Sequence, residues 1–277
     1  MINTATQLKA KIKHLACGDS TKAQTLMRSF LMERFLERLS CSPYHDNFIL
    51  KGGVLVAAIV GMNSRATMDI DTTIKSLNLT KDNATKIISE IINTDISDCV
   101  YFHINKVTEI MEEHEYAGFR FILEATIDKI RQIIKIDLST GDIITPAAIQ
   151  YPYRLMFEDR TISLWTYNLE TLLAEKFETI MARGTANTRM RDFYDVYMIS
   201  KQENFDRNIF KQAFCATCEQ RNTTSQIHQL RKTLVTVEFD ENMETQWLNF
   251  QKNSFFVGEL SWNEVMQMVN ELAEVVL

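Results

Sequence analysis

Two aspartates one residue apart, Asp69 and Asp71, are the residues of this chain whose types and spacing most strongly favour chemistry. They stand in the stretch MDIDTTI, whose apolar and β-branched residues predict a strand. Because side chains alternate along a strand, both carboxylates point to the same face. Two like charges so close repel each other, and a divalent cation is the usual compensation. The pair predicts a magnesium site, with manganese as a second possible metal, and a solvated strand face is the alternative.

A pair of glycines, Gly52 and Gly53, precedes the aspartates in a chain that has 8 glycines in all. The pair opens the apolar segment GGVLVAAIVG, which predicts a short buried helix. The first amides of a helix donate hydrogen bonds to phosphate, and glycine lets phosphate approach the backbone closely. These residues therefore predict a nucleotide-binding turn, and a tight turn without a ligand is the alternative.

A third carboxylate, Asp137, lies inside the apolar strand predicted for residues 133–138. An isolated aspartate in such a strand is costly to bury, so it needs a partner. A third carboxylate on a neighbouring strand would complete a two-metal site, in which one ion activates the attacking oxygen and the other stabilises the leaving oxygen. Asp142 follows the strand and is predicted to lie in a turn.

The totals describe an ordinary globular chain of 277 residues, of which 45% are hydrophobic and 24% charged. The formal net charge is −6, so RNA or DNA binding would require a local basic patch. The 5 cysteines are scattered, and Cys215 and Cys218 are predicted to be neighbours on a helix rather than zinc ligands. The longest apolar run, residues 54–60, is too short to span a membrane, and the N-terminus lacks a signal-peptide pattern, so we expect a cytoplasmic protein without membrane contact.

The elements that must position these residues follow from hydrophobic periodicity. The first forty residues predict helices that end before Pro43, and Thr80 is predicted to cap another helix. Between Pro43 and Asn168 seven segments predict strands, namely NFILKG, MDIDTTIK, CVYFHINKVTEIM, GFRFILEATI, IRQIIKIDLS, QYPYRLMF and TISLWTY. From Asn168 onward the pattern is helical. We therefore predict an α/β (α+β) mixed-sheet core over residues 1–166 and a helical domain over residues 167–277.

Two motifs in order carry a family resemblance. The stretch LKGGVLVAAIVGMNSRATMDIDTTI resembles the signature of the nucleotidyltransferase superfamily, a glycine pair followed by an acid-hydrophobic-acid strand. More closely, K-G-G followed by R-x-T-x-D-I-D resembles the AbiEii/AbiGii toxin family, which includes the MenT-type toxins. The later stretch LLAEKFETIMARG…RMRDFYDVYMI resembles that family's second signature, a helical lysine followed by Arg-Asp-x-x-Asp. The resemblance covers roughly residues 48–199.

The resemblance implies a polymerase-β-like nucleotidyltransferase core followed by a helical C-terminal domain. It implies a magnesium-dependent enzyme that transfers a nucleotide from an NTP to an acceptor and releases pyrophosphate. Some relatives modify the acceptor end of tRNA, so tRNA is the favoured acceptor. Many relatives are paired with a cognate antitoxin protein in a toxin–antitoxin or phage-defence operon, so an antitoxin is the expected partner.

The resemblance also assigns roles to residues of both motifs. It implies catalytic roles for Asp69, Asp71, Lys176 and Asp192, nucleotide binding by Gly52, Gly53, Arg65, Lys176 and Asp195, and metal binding by Asp69 and Asp71, with Asp137 as the superfamily's third carboxylate. Lys176 would offer a mobile ammonium to the triphosphate. Asp192 and Asp195 lie one turn apart on a helix, and one of them would orient Lys176, bind the sugar or act as base. The alternative is that both aspartates only pair with Arg189 and Arg191 or cap the start of a helix. Arg65 would contact phosphate or brace Asp69 and Asp71, with equal weight on each.

Two other classes of function stay open at this level. A nucleotide-binding interaction module without turnover would keep the glycine pair but has little need for three carboxylates. A small-molecule nucleotidyltransferase of the antibiotic-modifying type shares the glycine and D-x-D logic, and an acidic chain suits a cationic acceptor. The second motif favours the toxin branch.

Overall fold

The computed structural model describes residues 2–61, 64–111, 117–202 and 204–277. The chain divides into two compact units. The sheet unit contains Met1–Ala58, Ala66–Asp142 and Ile149–Thr166. The helical unit contains Ile59–Arg65, Ile143–Ala148 and Tyr167–Leu277. Two short segments that precede residue 167, residues 59–65 and 143–148, therefore belong to the same unit as the C-terminal helices.

The sheet unit combines helices with a sheet of seven strands among the described residues. Its helices are α1 (Ala5–Ala16), α2 (Ser20–Cys41), α3 (Gly52–Val60) and α4 (Lys81–Ile92), of which α3 ends in the helical unit. Its strands are β1 (Phe48–Lys51), β2 (Asp69–Ile74), β3 (Tyr101–Met111), β4 (Ala117–Ile127), β5 (Ile130–Thr140), β6 (Ile149–Arg154) and β7 (Thr161–Thr166). These bounds confirm the predicted strands and the helix that follows the glycine pair.

The order of the strands across the sheet is β3-β4-β5-β2-β1-β7-β6. The pairs β2–β5 and β1–β7 are parallel, and the other neighbours are antiparallel. The predicted mixed α/β architecture is thus confirmed. Strands β4 and β5 are joined by a tight turn at Asp128, which has a positive φ of 50°.

One face of the long strands is covered by α2. The ring of Phe35 on α2 meets that of Phe102 on β3 at 6.3 Å between centroids. On β4 and β5 the fully buried residues Phe121 and Ile136 are register partners that share this covered face. The carboxylates of β2 alternate with buried Ile70 and therefore lie on the opposite face.

Helix α2 carries ionisable residues that its sequence pattern did not place in the core. Glu33, Arg34 and Glu37 are all buried, and Arg34 Nη1 lies 2.5 Å from Glu37 Oε2. Burial raises the pKa of Glu33 to about 7, although the neighbouring Arg34 opposes the shift. Hydrophobic periodicity identifies the apolar face of a helix, but it does not show which of the charged residues are buried as ion pairs.

The helical unit contains the remaining helices of the described chain. They are α5 (Leu169–Arg183), α6 (Met190–Gln202), α7 (Arg207–Gln220), α8 (Leu230–Glu238), α9 (Glu241–Asn253) and α10 (Trp262–Val276). The side chain of Asn168, where the predicted helical pattern begins, caps α5 by accepting a hydrogen bond from the Thr171 amide at 2.7 Å. Cys215 and Cys218 share α7 as free thiols. Within the described residues, no helix is both long and apolar enough to cross a membrane.

Candidate active site

One cross-strand row of the sheet brings together two of the predicted aspartates. Asp71 on β2 is the register partner of Lys51 on β1 and of Asp137 on β5, and Asp137 is in turn the partner of Arg120 on β4. Register partners place their side chains on the same face, within reach of each other. We call Lys51, Asp71, Asp137 and Arg120 the carboxylate row. Two adjacent acids are therefore flanked by one base at each end of the row.

Asp69 stands one step along β2 from this row, on the same face. Its register partner is Lys135 on β5, whose Nζ lies 3.8 Å from Asp69 Oδ1. That oxygen is buried and accepts no hydrogen bond from any residue that the structure describes. A buried carboxylate oxygen without a donor costs free energy, which a cation or a hydrogen-bond donor at Asp69 would recover.

Gly52 brings the backbone directly against the second carboxylate. It opens α3 with a φ of +65°, and a Cβ built at this position would lie 2.1 Å from Asp71 Oδ2. A side chain at residue 52 would therefore displace the Asp71 carboxylate. The predicted glycine requirement has two physical causes here, a left-handed backbone and a close approach to Asp71.

Asp137 has the partner that a lone aspartate in an apolar strand requires. Arg120 donates to it twice, from Nε to Oδ1 at 2.8 Å and from Nη2 to Oδ2 at 2.6 Å. The hydrogen bonds to Asp137 raise the pKa of Arg120 further above its ordinary value, as do the charges of Asp137, Asp69 and Asp71, while partial burial works against them. Sequence reasoning missed Arg120, although a single arginine in the strand GFRFILEATI was a signal that could have identified it.

Lys51 supports the strand end next to the glycines. Its Nζ lies 2.7 Å from Asp142 Oδ2, and the Ser139 hydroxyl donates to the same oxygen at 2.9 Å. Burial alone would raise the pKa of Asp142, but the Lys51 charge and these hydrogen bonds hold it below its ordinary value. This ion pair fastens the end of β5 to the end of β1.

The residues present suit a divalent cation with incomplete protein ligation. No group of three or more His, Cys, Asp or Glu side chains in the described part of the chain is arranged as a metal cage. Magnesium, however, is held by one or two carboxylates together with water and substrate phosphates. Asp69, with its unsatisfied Oδ1, and Asp71 fit that description, whereas Asp137 already accepts two hydrogen bonds from Arg120.

The second motif forms a separate ionic cluster inside the helical unit, which we call the lysine cluster. Lys176 Nζ lies 3.2 Å from Asp192 Oδ1 and 2.7 Å from Asp195 Oδ2. Arg65 donates to the two oxygens of Asp195 from Nε at 2.5 Å and Nη2 at 3.0 Å. Arg189 Nε lies 2.7 Å from Asp192 Oδ2. The helical lysine and both aspartates of the motif are therefore brought together.

Lys176 and Asp195 form the buried centre of the lysine cluster. Lys176 is 8% exposed and Asp195 is fully buried. Burial alone would raise the pKa of Asp195, but the charges of Arg65 and Lys176 hold it below its ordinary value. Burial alone would lower the pKa of Lys176, but Asp195 and Asp192 raise it above its ordinary value. The structure thus shows a lysine in ion pairs rather than a mobile ammonium.

The pairing of Arg65 with Asp195 is a contact that the sequence did not indicate. The two roles considered for Arg65 were phosphate binding and bracing of Asp69 and Asp71. In the structure its guanidinium is 4% exposed and binds Asp195, 130 positions away in sequence. Tyr194, between the two motif aspartates, is also buried, and its hydroxyl donates to the carbonyls of Ser64 and Phe256.

A mixed sheet that carries paired aspartates beside a glycine-opened helix defines the class of nucleotidyltransferases. Comparison with known families agrees, because residues 34–268 match the model described as nucleotidyl transferase AbiEii toxin, type IV TA system. The chain therefore belongs to the AbiEii family of nucleotidyltransferase toxins. The predicted family resemblance and the prediction of an enzyme are both confirmed.

Solved structures resemble this chain at low sequence identity. JHP933 from Helicobacter pylori matches with a TM-score of 0.54 and 14% identity, over 91% of this chain and 91% of that chain. An antigenic nucleotidyltransferase-like protein from Paracoccidioides brasiliensis matches with a TM-score of 0.40 and 13% identity, over 80% of this chain and 92% of that chain. A comparison with curated proteins gave no match.

Proposed function

We propose that this chain is a magnesium-dependent toxin that transfers a nucleotide from an NTP to an RNA acceptor, with tRNA as the favoured substrate. The observation that carries the proposal is the geometry around Asp71. The Gly52 backbone lies against this carboxylate, and the neighbouring Asp69 keeps a buried oxygen unsatisfied. A module that only bound nucleotide would gain nothing from holding these charges together at a cost in stability.

In this proposal Asp69 and Asp71 hold the metal ion, which is Mg²⁺ or alternatively Mn²⁺. The metal supplies charge stabilisation at the reacting phosphate. Gly52 and Gly53 offer backbone amides to the triphosphate at the start of α3. A hydroxyl oxygen of the acceptor bonds to the α-phosphorus, the bond to the β-phosphate oxygen breaks, and pyrophosphate leaves. The hydroxyl proton passes to a carboxylate or to solvent. Asp137 is the third carboxylate of the site, and its pairing with Arg120 holds it beside Asp71.

The family's second motif supports a role for the lysine cluster in the same reaction. We propose that Lys176 and Asp192 act on the nucleotide, with Lys176 exchanging an aspartate for a phosphate oxygen. Asp195, which is fully buried, and Arg65, which donates to both of its oxygens, hold that pair in place and so contribute to nucleotide binding. This division follows from the contacts, because Asp195 is paired with two buried cations, whereas Lys176, at 8% exposure, is the most accessible of these four residues.

Family membership also supports the biological setting. The matched family is described as a type IV toxin–antitoxin system, so an antitoxin partner and a nucleotide substrate are implied. We propose that transfer to RNA arrests growth and that the cognate antitoxin relieves the arrest, in a toxin–antitoxin or phage-defence role within the cytoplasm. The second candidate, transfer to a small cationic molecule, is favoured only by the acidic net charge of −6.

Labelled nucleotide transfer tests the proposal directly. Purified protein with magnesium and total tRNA is incubated with each α-labelled NTP in turn, beside Asp69→Ala and the control Asp159→Ala, whose side chain is 100% exposed. We expect one NTP to label RNA with the wild type and with Asp159→Ala, but not with Asp69→Ala. Labelling of RNA by Asp69→Ala at the wild-type rate would contradict the mechanism. Labelling of a small molecule instead would favour the second candidate.

Metal binding without turnover gives a separate prediction. In a Mn²⁺ titration followed by electron paramagnetic resonance, we expect Asp69→Asn to weaken binding by about tenfold or more. We expect Asp137→Asn to weaken it less, because Arg120 already occupies both oxygens of Asp137. Equal losses for the two variants would show instead that Asp137 is a full metal ligand.

A further inference from the structure

The three long strands carry a second set of side chains on the side of the carboxylate row. Tyr101, His103 and Lys106 on β3 and Arg131 and Lys135 on β5 form what we call the strand face. Tyr101 and Arg131 are linked through one residue of β4, and Lys106 and Lys135 through another. Because register partners share a face, all five lie on the face that also bears Asp69 and Asp137.

A β-bulge keeps this set on one side. The pairing of β3 with β4 shifts between Ile104 and Lys106, so Asn105 is the extra residue. In a regular strand Lys106 would share a face with Ile104, which points to the covered side. The bulge instead places Lys106 beside Ile122, on the same side as His103. Without the bulge, Lys106 would point to the side of the sheet that α2 covers.

The chemistry of the strand face differs from that of the chain as a whole. The chain is acidic, at −6, yet this face presents an exposed aromatic ring and several cations. Tyr101 is 70% exposed, and the side chains of Arg131 and Lys135 are 74% and 43% exposed. Glu124, 3.7 Å from Arg131, is an acid on the same face away from the aspartates. Exposed aromatic rings beside cations are what unstacked bases and phosphates require.

The length of the face suits several nucleotides. Arg131 and Asp137 lie six positions apart on β5, which corresponds to about 20 Å along a β-strand. Stacked nucleotides advance by about 3.4 Å each, and unstacked ones by more. An RNA strand whose terminal hydroxyl lay at Asp69 and Asp71 would therefore run past Lys135 and Lys106 before it reached Tyr101.

We propose that the strand face binds the single-stranded 3′ end of the RNA acceptor. Lys106 and Arg131 contact its phosphates, and Tyr101 stacks on a base at the end distant from the carboxylates. Only a 3′ end presents its terminal hydroxyl for extension, and only a single strand exposes base faces to a tyrosine. The inference rests on the proposed function, since it names the acceptor's path to the same carboxylates.

Binding measured without NTP tests this surface independently of turnover. A 5′-fluorescein single-stranded RNA is titrated with the full-length protein, and its anisotropy gives Kd. We expect Tyr101→Ala to raise Kd by about fivefold or more. We expect Lys106→Gln to reduce the slope of log K against log salt by about 0.7, the value for one phosphate contact on a single strand. The controls are Phe239→Ala and Lys86→Gln, which lie outside the strand face. Their exposures of 76% and 72% are close to the 70% of Tyr101.

The outcomes separate the inference from the proposed function. Wild-type RNA affinity in Tyr101→Ala and Lys106→Gln would overturn the strand face, even if labelled NTP transfer to RNA succeeds. Tighter binding of a blunt RNA duplex than of the single strand would overturn it as well. Weakened RNA binding in both variants, with unchanged binding in Phe239→Ala and Lys86→Gln, would support it even if no NTP labelled the RNA, in which case the proposed transfer alone would fail.

Discussion

A Gly52→Ala variant is expected to lose nucleotidyl transfer by about a hundredfold or more while it remains folded. The added Cβ would lie 2.1 Å from Oδ2, 2.8 Å from Cγ and 2.9 Å from Cβ of Asp71. To reach ordinary van der Waals separation, the carboxylate must move by about 1 Å or more, and a displacement of that size in a catalytic group costs about 10²-fold in rate. The measurement is the initial rate of labelled nucleotide transfer.

The control for this variant isolates backbone strain from displacement of the carboxylate. Gly258 has a φ of +63°, close to the +65° of Gly52, but a Cβ there meets no described atom within 4 Å. Both alanines pay the left-handed penalty of about 1–2 kcal/mol, which thermal unfolding would report. We expect Gly258→Ala to keep the wild-type transfer rate. A Gly52→Ala variant as active as Gly258→Ala would show that the position of Asp71 is not critical.

The parts of the fold that depend on local pattern were predictable from the sequence. Strand alternation located Asp69 and Asp71 on one face, and the cost of an unpaired aspartate marked Asp137 as needing a partner. The identity of that partner depends on the register between β4 and β5. Register is set by turn geometry and by packing of the whole sheet, so the lone arginine of β4 was a signal, but its pairing with Asp137 follows only from the structure.

The same limit applies to residues that only the tertiary structure brings together. The bulge that turns Lys106 toward the strand face is a property of the β3–β4 pairing and leaves no signature in the apolar pattern. The motif spacing predicted that Asp192 and Asp195 share a helix face, and they do. Arg65, from a distant segment, donates to both oxygens of Asp195. Asp195, which the sequence suggested as a nucleotide-binding residue, is therefore the centre of a buried network.

An Asp195→Ala variant is expected to destabilise the helical unit by about 3–5 kcal/mol, because it leaves two buried cations without their shared partner. Lys176 and Arg65 both pair with Asp195, at 2.7 Å and 2.5 Å, and neither is more than 8% exposed. The matched control is Glu274→Ala, which removes the acid of a pair with Arg231 whose side chains are 63% and 68% exposed. We expect that change to cost less than about 1 kcal/mol, as for other surface pairs. Urea unfolding at neutral pH compares the two.

The pH dependence gives the sign of the Asp195 contribution. Because the folded-state pKa of Asp195 lies below its ordinary value of 3.8, its stabilisation is fully present above that value and is lost as pH falls through the lower, folded pKa. The difference in unfolding free energy between wild type and Asp195→Ala should therefore stay constant from neutral pH down to about pH 5 and shrink only in stronger acid. A difference that disappears between pH 7 and pH 5 would contradict an ionised Asp195. A difference no larger than that of Glu274→Ala would show that Lys176 and Arg65 find other partners, and Asp195 would then be free to act on the nucleotide.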